Sequence, residues 1–597
     1  MRKTLLALGL ATLALVGCTK TNSNPNFLNV TAVQKIKGMD PALAQDLYSS
    51  NEIMRVYEQL FQYHPYKRPY VLEPLLAEAM PTVSKDLLTY TIKIRKGVRF
   101  HDDKAFLEGK GREMTAKDVE YSLKRLADPR TQSTGWWVLE GRVKGLDEFR
   151  AKYAEAKTPT NYDDAVEGLK AIDDSTIQIQ LKAPYPQLLY VLAMPYGSVV
   201  AKEVVEKYGP EFINHPVGTG PFVIEKYNPN DTIVYKKNPA YWEAVFPSEG
   251  EAEDKAAGVL ADAGKKLPLV DGINVRVIVE DQPRWLHFLR GEFDTGSIPK
   301  DNFGTSVGPK DKAKPLTYDN LELSADLKSK GIDLSTAVAM DFTYTAFNLE
   351  SKEIPQFADK RVRQAISLAL DEKDRIQLFF NGMATPAQTP IPPGASGYDP
   401  DFKNPYRTGD IEKARKLLAD AGFPGGKGFP VIPYDTMADA TSRQMAEYVG
   451  KKLDQIGLKI SIQAGTWPQL MERVRNRQAQ FWGMAWGADY PDAENFLQLF
   501  YGPNAQPGGM NSSYYKNKDF DRLFEQARIL PDSPARTDMY KRLARMVAED
   551  TPVIFGVHRI AVTLRQPWIR NAKYDEFAFN RAKYLRIDLE EKKKYGK

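Results

Sequence analysis

The sequence predicts a multidomain α/β protein: a β-rich part, then an α/β block, then a β segment that returns after it. Period-two alternation appears early, in Tyr90, Ile92 and Ile94 and again in Ile177, Ile179 and Leu181. After Asn348, capped helices alternate with short apolar strands through short joints, as parallel βαβ units do. With 597 residues, the chain is also too long for one core and divides into two to four domains.

Taken in order, an extended piece over 27–33 precedes a helix carrying Leu43, Leu47, Ile53, Met54 and Tyr57 on or near one face. The first alternating strand follows. Thr115 and Asp118 form a capping box, in which each residue satisfies a free amide of the other's turn. Val119, Leu123 and Leu126 make that helix's apolar stripe, and Asp128-Pro129 ends it. Residues 130–160 are polar and irregular and read as an insertion. Gly218-Thr219-Gly220-Pro221-Phe222 opens a second β-rich part, with a turn at Asn228-Pro229-Asn230-Asp231 and a return strand through Ile233 and Tyr235. Residues 249–266 are a second, charged insertion. Ile273, Val275, Val277 and Val279 alternate as a strand, and a helix over 284–290 stops at Gly291.

In the α/β block, Asp359 caps a helix with Val362, Ile366 and Leu370, and Asp410 caps one with Leu417 and Leu418. A third carries Met445, Val449, Leu453 and Ile456, closes at Gly457 and runs into a strand over 458–462. A further helix with Leu470 and Val474 leads to a strand over 481–486. The last β segment, 552–564, follows a helix that ends near Glu549.

Composition excludes several function classes. Lysines and acids are mixed along the chain, so its +5 charge reads as solvated faces and not as a nucleic-acid patch. The one cysteine, Cys18, leaves the rest of the chain without disulfides or thiolate metal sites. Cys18 ends Leu15-Val16-Gly17-Cys18, behind Met1-Arg2-Lys3 and an apolar run of about eleven residues, too short to span a bilayer. A basic start, short apolar core and small residues before the cut describe a secretory signal over 1–17. The cysteine resembles that of a bacterial lipobox, which takes a diacylglyceryl group; more than one chain makes a stable anchor. Residues 18–26 then form a polar tether. These features place the protein outside the cytoplasm, on a bacterial membrane.

Several separated segments resemble the bacterial extracellular solute-binding proteins of family 5, the oligopeptide-, dipeptide- and nickel-binding components of ABC importers. They are Val56-Tyr57-Glu58-Gln59-Leu60, Arg95-Lys96-Gly97-Val98-Arg99-Phe100-His101-Asp102, Thr115-Ala116-Lys117-Asp118-Val119, Gly218-Thr219-Gly220-Pro221-Phe222, Asn238-Pro239-Ala240-Tyr241-Trp242, Asp359-Lys360-Arg361-Val362-Arg363-Gln364-Ala365 and Lys413-Ala414-Arg415-Lys416-Leu417-Leu418. No single one is diagnostic; their order over nearly the whole chain is. The resemblance implies a class II periplasmic-binding-protein-like α/β fold of two lobes with a hinge, plus an extra β-rich domain. Lobe I would comprise 27–66, 215–344 and 551–597, the extra domain (II) 67–214, and lobe III 345–550. Hinge closure over a ligand is the expected motion.

The same resemblance supplies the sharpest site. Trp486-Gly487-Ala488-Asp489-Tyr490 is similar to the oligopeptide-binding segment whose aspartate pairs with the peptide's ammonium. A charged amine enters a closed cleft only if a partner offsets its desolvation, which asks for a fixed carboxylate. Trp467 stands at the family's spacing before Asp489, and both tryptophans would flank side-chain pockets, where indoles offer broad apolar area and one donor. Carboxylate recognition departs from the family: the arginine expected six residues before Asp489 is Gly483 here. Arg443, His558 or Arg559 are the remaining candidates, each also readable as a solvated or packing group.

The five histidines form no H-E-x-x-H pair, and no Walker, G-x-S-x-G or Rossmann pattern occurs. The sequence therefore predicts no enzyme, no cofactor and no bound metal. It predicts a monomeric peptide receptor that feeds ABC permease and ATPase subunits. A nickel chelate, haem or an oligosaccharide is the alternative cargo, and peptide sensing without transport the alternative role.

Overall fold

The computed structural model describes residues 24–44, 46–242, 244–506, 509–577 and 579–595. The expected signal peptide and Cys18 lie outside the described residues. The first sheet runs Phe27–Ala32, Gly272–Val277, Thr232–Lys237, Phe222–Asn228; its first pair is parallel and the rest antiparallel. Phe222–Asn228 and Thr232–Lys237 are the expected hairpin, and Ile233 and Tyr235 are buried because alternation turns them to the core. The N-terminal helix begins later than expected. Leu43 belongs to the turn Pro41–Leu43, and Asp46 caps the helix Leu47–Val56 by accepting from Tyr48 N and Ser49 N. A proline and a side-chain cap interrupt the apolar face.

The extra β-rich domain holds Thr82–Val83, Thr89–Lys93, Thr176–Gln180 and Leu169–Asp173 in one antiparallel sheet. Tyr90 sits opposite Ile179 and Ile92 opposite Ile177, all buried against the helix Ala116–Ala127. Thr115 N donates to Asp118 Oδ2 at 2.8 Å, so the capping box forms as read. The stretch 130–160 corrects its reading as a polar insertion. It contains the helix Leu146–Ala154, and Val138, Val143, Leu146, Phe149 and Tyr153 join the main core. Helical spacing there lasts only nine residues between charged neighbours, too short a window for the period to stand out. The charged stretch 249–266 is fastened to the C-terminal segment: Asp254 pairs with Lys573 at 2.6 Å and Asp262 with Arg586 at 2.7 Å.

The α/β lobe centres on a five-stranded sheet ordered Ile460–Gly465, Ile432–Met437, Phe481–Gly487, Asp341–Phe347, Val553–Phe555. Ile432–Met437 runs parallel to both Ile460–Gly465 and Phe481–Gly487, as the βαβ pattern requires. Helices Lys360–Ala369, Ile411–Asp420 and Ala440–Asp454 are capped by Asp359, Asp410 and Asp439. Their stripes, including Val362, Ile366, Leu418, Val449 and Leu453, pack on Ile432, Tyr434 and Phe481.

Two strands join the lobes side by side. Asp333–Val338, in a sheet with Val557–Arg565, passes through residues 339–340 into Asp341–Phe347; Val553–Phe555 returns through Gly556 into Val557–Arg565. Ala339 N donates to Arg559 O at 2.9 Å and Gly556 N to Thr343 O at 2.7 Å. A Cβ on Gly556 would lie 2.2 Å from Thr343 Oγ1, so this contact admits only glycine. Among the described residues no helix is long and apolar enough to cross a membrane.

Candidate functional site

The three parallel strands end at one edge, with Met437, Gly465 and Gly487, and open α/β sheets bind ligands outside such carboxyl ends. Arg443 and Trp467 stand in the first turns of the helices that follow two of these strands, and Trp486, Ala488 and Asp489 lie at the end of the third; of the five, only Ala488 and Asp489 line the cavity described below. Trp467 is the first residue of the helix Trp467–Arg475, and its side chain stands 49% exposed. Arg443, exposed in the first turn of Ala440–Asp454, donates its Nε to Ala438 O at 3.1 Å.

Asp489 is held from the chain just beyond it. Asp492 accepts from Glu494 N at 2.9 Å, starting the short helix Glu494–Leu497, which turns fully buried Asn495 back toward the strand end. Asn495 Oδ1 accepts from Trp486 Nε1 at 3.0 Å and from Asp489 N at 3.1 Å; its Nδ2 donates to Asp489 Oδ2 at 2.9 Å. Ala488 N donates to Met340 O at 2.9 Å, tying the segment to the crossing strand. Tyr490 is buried, donates to Glu494 at 2.6 Å and stacks on Tyr190 of the extra domain at 5.7 Å and 4°.

The strand Phe481–Gly487 is only half paired on one side. Asp341–Phe347 pairs with it at every position from Gly487 back to Phe481, whereas Ile432–Met437 reaches only Phe481 and Trp482. Residues 483–487 thus present an edge without a strand partner among the described residues, able to take an extended segment as an added strand.

A cavity of about 200 Å³ reaches Asp489 from the first lobe and the extra domain, with Asp46, Tyr63, Tyr196 and Glu576 in its wall. Among the described residues no lysine, arginine or histidine lines it. Desolvation pushes the Asp489 carboxyl up to about 6, against the opposing pull of the Asn495 hydrogen bond. Burial also raises Glu576, whose carboxylate accepts from the Tyr574 hydroxyl and from Met340 N.

A larger cavity of about 1040 Å³ lies beyond the Tyr190–Tyr490 stack, among Tyr70, Ser335, Tyr398, Asp492 and Tyr574. Its cations already have acids: Arg536 pairs with Asp492 at 2.8 Å, Arg68 with Asp575 at 3.2 Å, Lys573 with Asp254, and Arg565 with Asp333. His558 lines neither cavity. It is buried on the returning strand, its Nδ1 bonds Asp341 O at 2.7 Å, and burial holds its pKa below the usual histidine value. Arg559 pairs with Asp341 beside it.

Asn495, Glu576 and Asp46 escape the sequence reading. Asn495 has a signal in the Asp492 turn that returns it to Asp489, but Glu576 and Asp46 are brought there only by the fold.

A family model described as bacterial extracellular solute-binding proteins, family 5 Middle, matches residues 71–508. The chain is 27% identical over 601 residues to heme-binding protein A of Haemophilus influenzae, covering 97% of this chain and 98% of that protein. It is 27% identical over 560 residues to the glutathione-binding protein GsiB of Escherichia coli, covering 93% and 92%. Among solved structures, the ABC transporter-associated periplasmic binding protein DppA from Helicobacter pylori, in complex with peptide STSA, matches with a TM-score of 0.69. The identity is 23%, over 94% of this chain and 98% of that one, and the likeness is one of fold.

Proposed function

The chain belongs to the bacterial extracellular solute-binding proteins of family 5, and from that premise we propose that it is a lipid-anchored peptide receptor outside the cytoplasm. In this reading it delivers oligopeptides to the permease and ATPase subunits of an ABC importer, acts as a monomer and catalyses nothing itself. Residues 27–66, 215–344 and 551–597 would form lobe I, 67–214 the extra domain and 345–550 lobe III, with the crossing strands Asp341–Phe347 and Val553–Phe555 completing the lobe III sheet, and the lobes close over the peptide.

One observation carries the reading. Asp489 faces a cavity in whose wall no lysine, arginine or histidine stands among the described residues; one carboxylate oxygen is fixed by Asn495, and the other takes no hydrogen bond from the described residues. A half-buried carboxylate of this kind is stabilised by an incoming cation, and a peptide's α-ammonium is one. The unpaired edge at residues 483–487 supports it, since backbone pairing grips any extended peptide regardless of side chains. Trp486 and Trp467 would wall the neighbouring side-chain space. Glutathione, for which the Escherichia coli relative is named, also carries an α-ammonium; haem, nickel chelates and oligosaccharides give Asp489 no such partner.

The test is a four-way titration calorimetry cycle of parent and Asp489→Asn against an alanine tripeptide and its N-acetyl form. Removing either charge should weaken binding by about 30-fold or more, and removing both should cost little beyond one. Independent, multiplying losses would separate Asp489 from the amine.

A further inference from the structure

On the peptide reading, a second carboxylate in the Asp489 cavity selects among peptides. Of the three acids in its wall, Asp46 is occupied: it caps the helix Leu47–Val56, takes the Ser49 hydroxyl and lies 3.5 Å from Lys37. Glu576 is different. Its Oε2 accepts from the Tyr574 hydroxyl and, at 3.4 Å, from Met340 N, and its own amide faces the Tyr70 hydroxyl at 3.1 Å. Among the described residues its Oε1 takes no hydrogen bond, and no lysine, arginine or histidine forms an ion pair with it. Glu576 is half-buried, and Arg581 acts on it only from a distance, without bonding the carboxylate. A carboxylate partly withdrawn from water with no cation bonded to it is costly, and such groups concentrate where a ligand supplies the charge. The same wall includes Tyr63, Tyr196, Phe577 and Phe579, and aromatic rings are favourable neighbours for a cation. The acids do not converge on one ion: among the described residues no group of three or more His, Cys, Asp or Glu could hold a metal.

We infer that this cavity takes a doubly charged amino terminus, with the α-ammonium on Asp489 and the cationic side chain of a first-residue lysine or arginine on Glu576. About 200 Å³ accommodates a long aliphatic stem with its charged tip. Glutathione, with one ammonium and two carboxylates, brings nothing to Glu576.

The experiment is calorimetry of the full chain at about pH 7, where both amines are mostly charged, with the tripeptides Lys-Ala-Ala and norleucine-Ala-Ala and with glutathione. Norleucine keeps the methylenes and lacks the ammonium. The lysine peptide should bind at least about tenfold tighter than the norleucine peptide, a difference of about 1.4 kcal/mol. Glu576→Gln, which keeps an acceptor for Tyr574 and Met340, should bring the two within about twofold. A thermal melting curve that matches the parent's shows that the variant is folded. Equal affinities in the parent, a lysine preference that survives Glu576→Gln, or tighter binding of glutathione would overturn the inference. If the norleucine peptide binds through Asp489 without any lysine preference, the inference falls and the peptide reading stands; if no tripeptide binds, both fall.

Discussion

Asn495 holds Asp489 from both ends, donating Nδ2 to the carboxylate at 2.9 Å and accepting the Asp489 amide at 3.1 Å on Oδ1. The same oxygen accepts the Trp486 indole at 3.0 Å, so one buried amide fixes the carboxylate rotamer and the ring beside it. A side chain already held in place loses little conformational freedom when it meets a ligand, and that preorganisation strengthens binding.

Asn495→Ala should therefore act at a distance from the ligand. It removes a hydrogen bond that favours the ionised carboxylate and leaves a half-buried indole N–H without its acceptor, losses of about 1–3 kcal/mol. Affinity for an alanine tripeptide should fall about tenfold at neutral pH, with a larger loss at about pH 6, because the Asp489 pKa rises further. Calorimetry at the two pH values reads both effects; unchanged affinity would show that the clamp has no part in binding.

The pH profile follows from the same carboxyl. In the free protein Asp489 sits at about 6, above its unfolded value, so the native state takes up a proton as pH falls through 6. Its contribution to native stability is thus favourable at low pH and is lost as pH rises through 6. An incoming ammonium reverses the preference, and binding releases that proton. Affinity for an alanine tripeptide, which leaves Glu576 unengaged, should drop about tenfold per pH unit below 6 and fall again above about 8 as the amine deprotonates. In Asp489→Asn the acidic limb should vanish; if it remains, another group is titrating.

What the sequence makes legible is what is decided locally. The Thr115–Asp118 box, the caps Asp359 and Asp410, and the alternation of Tyr90 and Ile92 and of Ile177 and Ile179 each rest on a few neighbouring residues or one repeated period. The crossing strands are less legible. Asp333–Val338 is half-buried at most positions, so its two faces differ little in polarity and no apolar stripe marks it. The boundary read at Asn348 falls just after the far end of the first crossing, Asp341–Phe347.

The site divides in the same way. In the candidate site, Asp489 and Trp486 are read from a contiguous motif, and Trp467 from its spacing before Asp489. Glu576 shares nothing with Asp489 in sequence; the fold places the C-terminal segment, which Asp254 and Asp262 pin through Lys573 and Arg586, against the cavity. His558 shows the opposite failure. A histidine on the returning strand invites a ligand role, but here its ring bonds Asp341 O and packs the junction between lobes.

Anchoring is tested at Cys18. If the thiol carries lipid, the parent should partition into detergent, and Cys18→Ser should appear as water-soluble protein outside the cytoplasm, because acyl chains contribute about 0.8 kcal/mol per buried CH₂. Phase partitioning of the two proteins decides it, and equal partitioning would remove the anchor.

The last prediction concerns the crossing at Gly556. Its amide donates to Thr343 O at 2.7 Å, and the two crossing strands approach so closely that a methyl group would meet Thr343 Oγ1 at 2.2 Å and Arg375 Nη2 at 2.6 Å. The arginine can swing away, but Thr343 lies on a paired strand and its hydroxyl also accepts from Val557 N at 2.9 Å. Gly556→Ala must therefore spread the strands, at about 1–3 kcal/mol for an overpacked contact. The unliganded protein should melt several degrees lower, and the lobes should rest at a different angle. Small-angle scattering of parent and variant, with and without a tripeptide that calorimetry shows to be saturating, separates the two effects. The parent should contract on binding; the variant should start from a larger radius of gyration and contract less. Identical scattering curves for free and saturated parent would refute closure about these strands, and a variant as stable as the parent would show that the junction yields where the packing says it cannot.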